Sequence, residues 1–331
     1  MPGLTHPTTA PLAQLRTIKF SSLLDRDPAE LTKLIRACEE VGFFYLDLTS
    51  PCDEKMLRNL EDLSALMKGW FMHSLEKKLQ TRTASNSHGY KPTGTHAGVG
   101  AKRDGWEALK IGRSELMGRW ALPSVVEGQF EKFSDFQAEC HFVTKVLLGC
   151  ISTGLDLKGN RSLHQYHRDD TPSKSSLFFL HYPPLDDANA EMGQNMHTDI
   201  GSLTLLFALQ WGLQVLCPSD IPCPQTGEYF EWRSVEPRPN HAIINVGDTL
   251  RFLSGGRLRS ALHRALPLEQ GDRYSVAYFL RPSDDAEFAD SNGTTTSAVE
   301  WYLKKNETYE RPHQLQDESV LVGGMKQGLK V

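Results

Sequence analysis

The sequence predicts an α+β chain in which a β-α-β-α opening and one long helix precede a C-terminal half of antiparallel strands, arranged as a sandwich or barrel. Three observations carry this. Between residues 17 and 70, apolar positions at helical spacing flank a short apolar run. Residues 127–157 hold the longest helical periodicity. From Ser175 onward, short apolar runs alternate with turn residues at roughly 8–12-residue spacing.

In chain order, the first fourteen residues, rich in Pro and Thr, are expected to lack fixed structure. Thr17–Phe20 reads as a short strand. Pro28–Glu40 reads as a helix, with Leu31, Leu34, Ile35 and Cys38 on one face. Val41-Gly42-Phe43-Phe44-Tyr45-Leu46 is a buried strand after a glycine break, and Asp53 is placed to cap a second helix through Leu66. Residues 82–105, polar and Gly-rich, read as a solvated loop or a mobile lid, and WEALKIG as a strand. The helix over Glu127–Leu157 presents Phe133, Phe136, Cys140, Val143 and Leu147 to a core. The strand candidates that follow are LFFLHY, SLTLLFAL, GLQVLC, YFEWRSV, AIINV, TLRFL, HRALPL and YSVAYFL, with Gly247-Asp248 and Gly255-Gly256 at hairpin turns. A last helix covers Thr296–Asn306. The organisation is an N-terminal region over 15–120 and a catalytic part over 121–331.

Composition narrows the function classes. Of 331 residues, 39% are hydrophobic and 23% charged, which excludes wholesale disorder. A net charge of −5 lacks the basic surplus of a non-specific nucleic-acid binder. Six cysteines without a C-x-x-C pair argue against a zinc ribbon and for reduced thiols, and Cys217 and Cys223 read as free thiols in a Pro-rich loop. The start MPGLTHPTTAPLAQ has neither a basic beginning nor an apolar core, and no apolar run approaches bilayer length. The expectation is a cytoplasmic protein with no membrane and no nucleic-acid partner.

The chemistry gathers around His197-Thr198-Asp199. Residues i and i+2 of a strand share one face, so an imidazole and a carboxylate can converge on one metal ion. A third ligand should lie downstream, and His263 is the candidate. Two histidines and one carboxylate form the facial set of non-haem Fe(II) sites, which leaves coordination positions open. The motif alone is weak, because His167-Arg168-Asp169 matches it too. That run has no strand pattern and reads as a surface loop. It also lacks the downstream Asn and the glycine-rich loop that a kinase needs. Ten residues after His263 come Arg273, Tyr274 and Ser275. Arg273 and Ser275 share a face with Ala277 and Phe279, so a guanidinium fork and a hydroxyl point inward and suit a buried carboxylate. Arg281, eight residues on, lies about 26 Å further along an extended strand and cannot grip the same small anion.

The sequence H-T-D, then a distal His, then R-Y-S resembles the 2-oxoglutarate/Fe(II)-dependent dioxygenases, and within them the isopenicillin N synthase-like branch. GFFYLDL near the N-terminus is similar to that branch's N-terminal region. HYPP, MHTDIGSLTLLF, GLQV, NVGDTLRFLSGGRLRSALHRA and RYSVAYFLRP follow its catalytic part in order. The resemblance implies a double-stranded β-helix (jelly-roll) core with helices packed outside. It implies Fe(II) on His197, Asp199 and His263, with the far carboxylate of 2-oxoglutarate on Arg273 and Ser275, assisted by Tyr182. One departure is Leu180, where the family often has Asn two residues before that tyrosine. O2 and 2-oxoglutarate would become succinate and CO2 as a small organic substrate is hydroxylated, desaturated or cyclised, most plausibly in secondary metabolism.

Phe178 and Leu180 share the face of Tyr182, so they and Phe279 read equally as pocket lining or core. Tyr90, Lys91, Lys102 and Arg103 could meet substrate from the polar loop. An iron oxidase that consumes no 2-oxoglutarate, a zinc hydrolase and a non-catalytic jelly-roll module remain alternatives. Oligomeric state is not legible.

Overall fold

Alternating side chains in the second half of the chain build two facing sheets. The computed structural model describes residues 10–98, 103–184, 196–220, 229–268 and 271–323. Its main strands are β1 (Thr17–Lys19), β2 (Phe43–Asp47), β3 (Gly89–Lys91), β4 (Glu107–Gly112), β5 (Ser176–Tyr182), β6 (Leu203–Ala208), β7 (Leu213–Pro218), β8 (Phe230–Ser234), β9 (His241–Val246), β10 (His263–Ala265) and β11 (Arg273–Leu280). The large sheet runs β1-β2-β9-β6-β11-β5-β4-β3, and the small one β10-β7-β8. Every pairing is antiparallel except β1 with β2. This is the jelly-roll, with strands from the first 112 residues extending both edges of its larger sheet.

The two faces of the large sheet bury different things. The outer face carries Phe44, Leu205, Phe207, Val276, Tyr278 and Phe179 into one core with two long helices, Glu54–Phe71 and Phe130–Gly154. In the second helix Phe133, Phe136, Cys140, Val143, Leu147 and Ile151 recur every three or four residues, the stripe a sheet-packed helix needs. The inner face carries Ala108, Phe178, Leu180, Tyr182 and Ala277 toward the small sheet. A one-residue slip of β5 or β11 would exchange the faces, so burial on both sides fixes the register. That register sets Arg273 opposite Tyr182, Ser275 opposite Leu180 and Ala277 opposite Phe178.

Several expectations need correction. TLRFL is a helix, Asp248–Leu253, and Gly255 and Gly256 (φ +65° and +79°) follow it rather than turn a hairpin. A five-residue apolar run cannot distinguish the two. Here the Asp248 N–H donates to the Asp199 carbonyl at 2.7 Å and starts the turn. Asp53 precedes its helix, but its side chain makes no capping bond. The stretch 82–105 is no solvated loop in its described part: it contains β3 and a buried Lys91–Asp104 ion pair. In the sequence alone, two charges that neutralise each other inside the fold read as solvent-facing. The last long helix is Ala298–Glu310, started by a capping box between Ser297 and Glu300. No described helix is long and apolar enough to cross a membrane. Cys217 is free and buried; Cys223, Lys102 and the turn at residues 193–195 lie outside the described residues.

Candidate metal centre

One pair of backbone hydrogen bonds assembles the site. The His197 N–H donates to the His263 carbonyl at 3.1 Å, and the His263 N–H to the His197 carbonyl at 3.0 Å. This bridge joins the segment before β6 to the first residue of β10. It sets the two imidazoles 4.4 Å apart between ring centres. Asp199 Oδ1 then lies 3.6 Å from Nε2 of each histidine. Two metal–ligand bonds of about 2.1 Å span such gaps. The three residues form the one described cluster of histidine, cysteine and acidic side chains able to hold a metal. All three are buried.

The fit to a ferrous ion rests on which lone pairs remain unspent. His263 Nδ1–H donates to the Ala261 carbonyl at 3.1 Å, which leaves Nε2 as a lone pair facing Asp199. Asp199 Oδ2 accepts from Thr204 Oγ1 at 2.5 Å and from Asn245 Nδ2 at 2.7 Å, so Oδ1 is the free ligand atom. Burial pushes the His263 imidazole down to about 4, with His197 acting the same way and Asp199 opposing. Burial alone would raise the Asp199 carboxyl. The two imidazoles and the Asn245 amide outweigh it and hold that carboxyl far below its ordinary range. A neutral His263 imidazole beside an ionised Asp199 carboxylate suits a divalent ion.

Around this cluster the backbone is held from the C-terminal side. Lys305 Nζ donates to Thr198 Oγ1 at 2.6 Å and pairs with the Asp248 carboxylate, both fully buried. Tyr309 OH donates to the Thr198 carbonyl at 3.0 Å.

Arg273 is 1% exposed and pairs with no carboxylate among the described residues. Its Nε donates to the Trp211 carbonyl at 2.8 Å, and its guanidinium lies 4.7 Å from the Tyr182 ring centre. Nη1 is buried and unpartnered. A cationic N–H left so costs about 1–3 kcal/mol or more, and a carboxylate from outside would satisfy it. Gly212 makes room for the arginine. At φ +115°, a Cβ there would sit 3.0 Å from Arg273 Nε and 2.3 Å from the Leu266 carbonyl oxygen. Ser275 lies two residues along the same face, buried.

A pocket opens beside His197 and Asp199, with Phe178, Leu180 and Phe279 in its wall. Tyr90 is elsewhere. Its hydroxyl donates to Glu107 and its ring packs edge-on against Trp70 at 5.6 Å, so it braces β3 rather than meeting the cavity. His167 is not a surface residue: Nδ1–H donates to the Leu163 carbonyl, and Nε2 accepts from the Ser202 hydroxyl, both at 2.7 Å. Its neighbour Asp169 pairs with His141, so this second H-x-D run assembles no metal ligands. Sequence reasoning misses Thr204 and Asn245, although Asn245 stands out as a polar residue on a buried strand. Lys110 and Arg281 also line the cavity; sequence reasoning passes over the first and sends the second to a strand end.

Comparison with known proteins agrees with this geometry. The chain matches the 2OG-Fe(II) oxygenase superfamily over residues 173–282, and the N-terminal region described as non-haem dioxygenase in morphine synthesis over 15–122. It is 52% identical over 323 residues to 2-oxoglutarate-dependent dioxygenase FG08081 of Gibberella zeae, covering 96% of this chain and 95% of that one. It is 38% identical to 2-oxoglutarate-dependent dioxygenase frbH of Dothideomycetidae sp., over 96% and 97%. Among solved structures, a full-length Neurospora crassa protein in complex with alpha-KG and thymine superposes with a TM-score of 0.72 at 20% identity, over 91% of this chain and 100% of that one. At that identity the likeness speaks for the fold alone.

Proposed function

Because the chain belongs to the 2OG-Fe(II) oxygenase superfamily, we propose that His197, Asp199 and His263 ligate Fe(II), and that Arg273, Ser275 and Tyr182 bind the far carboxylate of 2-oxoglutarate. The protein is an Fe(II)- and 2-oxoglutarate-dependent dioxygenase acting on a small molecule. The chemistry the bound metal and cosubstrate supply is O2-driven oxidation of a substrate C–H bond, with 2-oxoglutarate converted to succinate and CO2. In our reading the product is hydroxylated, desaturated or cyclised, in secondary metabolism and in the cytoplasm. Residues 15–120 serve as the supporting region and 121–331 as the catalytic part.

The chain's own residues do three things in this reading. The Ala261 carbonyl aims one imidazole, and Thr204 with Asn245 aims the carboxylate, so the ligand atoms are preorganised. Arg273 and the Tyr182 hydroxyl anchor the cosubstrate at the far end of β11, which fixes its length along the inner face. Phe178, Leu180 and Phe279 keep water from the reacting bond. Leu180 offers no hydrogen bond where the family often has Asn, so on that side the cosubstrate is held by packing.

The observation that carries the reading is the coincidence of the His197, Asp199 and His263 cluster with a buried Arg273 Nη1 that has no hydrogen-bond partner among the described residues. Succinate formed per product tests it. One-for-one release is expected. Turnover of the substrate without 2-oxoglutarate would instead indicate an iron oxidase.

A further inference from the structure

Two cations line the cavity and have no use in the scheme above. Lys110, on the inner face of β4, is 6% exposed, and among the described residues its Nζ donates only to the Asn86 carbonyl, at 3.0 Å. Arg281, just after β11, is 7% exposed. Its Nη1 donates to the Lys174 carbonyl and to Ser176 Oγ, while Nε is buried without a partner. Neither forms an ion pair with a described carboxylate. Both approach one aromatic ring: Nζ of Lys110 is 5.1 Å, and the Arg281 guanidinium 5.9 Å, from the centre of Phe178. A third donor, Trp106 Nε1, is buried and unpartnered in the same wall.

Buried cations persist when something neutralises them. Burial first, then the charges of Lys91 and Arg281, bring the Lys110 ammonium down to about 7. The cosubstrate is not the missing anion. Its far carboxylate belongs at Arg273, which an eight-residue stretch of strand places about 26 Å from Arg281, and its other end belongs at the metal. The wall also carries an aromatic pair, Phe178 and Phe279, centred 4.8 Å apart, beside the polar His96, Asn306 and Gln316.

Resting on the oxygenase reading, we propose that the substrate is a small carboxylic acid bound as its anion. Its carboxylate is gripped by Lys110 and Arg281 and its apolar body lies on Phe178 and Phe279, which turns a C–H bond toward His197 and Asp199. A guanidinium Nε, an ammonium and an indole N–H are donors only, so an anion with two acceptor oxygens suits them and a neutral amide, half donor, does not.

The test is calorimetric binding to the full chain loaded with Mn(II) and 2-oxoglutarate, using matched probes: 3-phenylpropanoate against 3-phenylpropanamide, and hexanoate against hexanamide. The acids are expected to bind at least about tenfold tighter than the amides, the scale of a lost charged hydrogen bond. Lys110→Met and Arg281→Met should each abolish that preference while leaving the 2-oxoglutarate Kd within about twofold. Parity of acid and amide, or no acid binding, overturns the proposal. So does a preference unchanged in both variants, or a 2-oxoglutarate Kd weakened in them. Should a methionine variant fail to fold, the wild-type ratio decides. Failure of the parent reading looks different: the wild type would then bind no 2-oxoglutarate at all.

Discussion

Arg273, the proposed anchor of the cosubstrate, shows what a buried cation without a carboxylate partner among the described residues implies for the fold. It is buried, bonded through Nε to a carbonyl, and left with an unpartnered Nη1. Breaking a buried ion pair costs about 3–5 kcal/mol, or roughly two to four orders of magnitude in affinity. Arg273→Ala is therefore expected to raise the Kd for 2-oxoglutarate by at least about a hundredfold, measured by calorimetry with Mn(II). Without 2-oxoglutarate, Arg273→Met should melt no lower than the wild type, because an uncompensated buried charge has been replaced by an apolar side chain. A large loss of apo stability would mean that the arginine holds the fold rather than the cosubstrate. Arg273 and Ser275 are readable in the sequence because their strand alternates. Lys110 is not: in EALKIG a single lysine looks like the solvated residue of a half-buried strand, and only the pairing of β4 with β5 turns it inward. Thr204 is hidden for a related reason, since its role depends on Asp199 folding back onto β6.

At the scale of elements, the C-terminal helix Ala298–Glu310 holds the segment of the proposed metal ligands in place. Lys305 reaches from it to Thr198 and to Asp248, which in turn takes its N–H to Asp199. Lys305→Met strands the fully buried Asp248 carboxylate. The midpoint of urea unfolding should fall by the equivalent of about 3–5 kcal/mol, and metal affinity should fall with it. Unchanged stability would show that the pair contributes nothing net. This helix is legible as helix from its spacing, but its link to the site is not, because a lysine 107 residues from its partner carries no local signal. The helix Asp248–Leu253 misleads for the opposite reason. Its local pattern suits a strand, and its hydrogen bonds to residues 199 and 201 decide otherwise. Long periodic elements, such as Pro28–Glu40 and Phe130–Gly154, are readable because burial of one face dictates their spacing.

Across the whole molecule, acid sensitivity follows from histidines that the fold keeps neutral. Burial pushes His141 down to about 4 and His167 to about 3. Both folded values lie below the ordinary 6.5, so the unfolded chain takes up protons first and stability falls as pH drops from about 6.5. The fall from His141 ends near pH 4 and that from His167 near pH 3. Urea midpoints measured from pH 7 to 4 should decline steadily; a flat profile would contradict these burials. The overall plan of a roll flanked by helices is legible because strand alternation and helix periodicity agree along the chain. What escapes is the content of the polar stretch 82–105, where the partners of Lys91, Tyr90 and Glu107 meet only in the folded chain. The central proposal joins these scales: His197, Asp199 and His263 would hold one ferrous ion that 2-oxoglutarate chelates. Anaerobic titration followed by visible absorption tests it most directly. The account predicts a weak charge-transfer band that needs both Fe(II) and 2-oxoglutarate, saturates at one equivalent of each, and is lost in His263→Ala. No band with both present, or a band that survives His263→Ala, would contradict it.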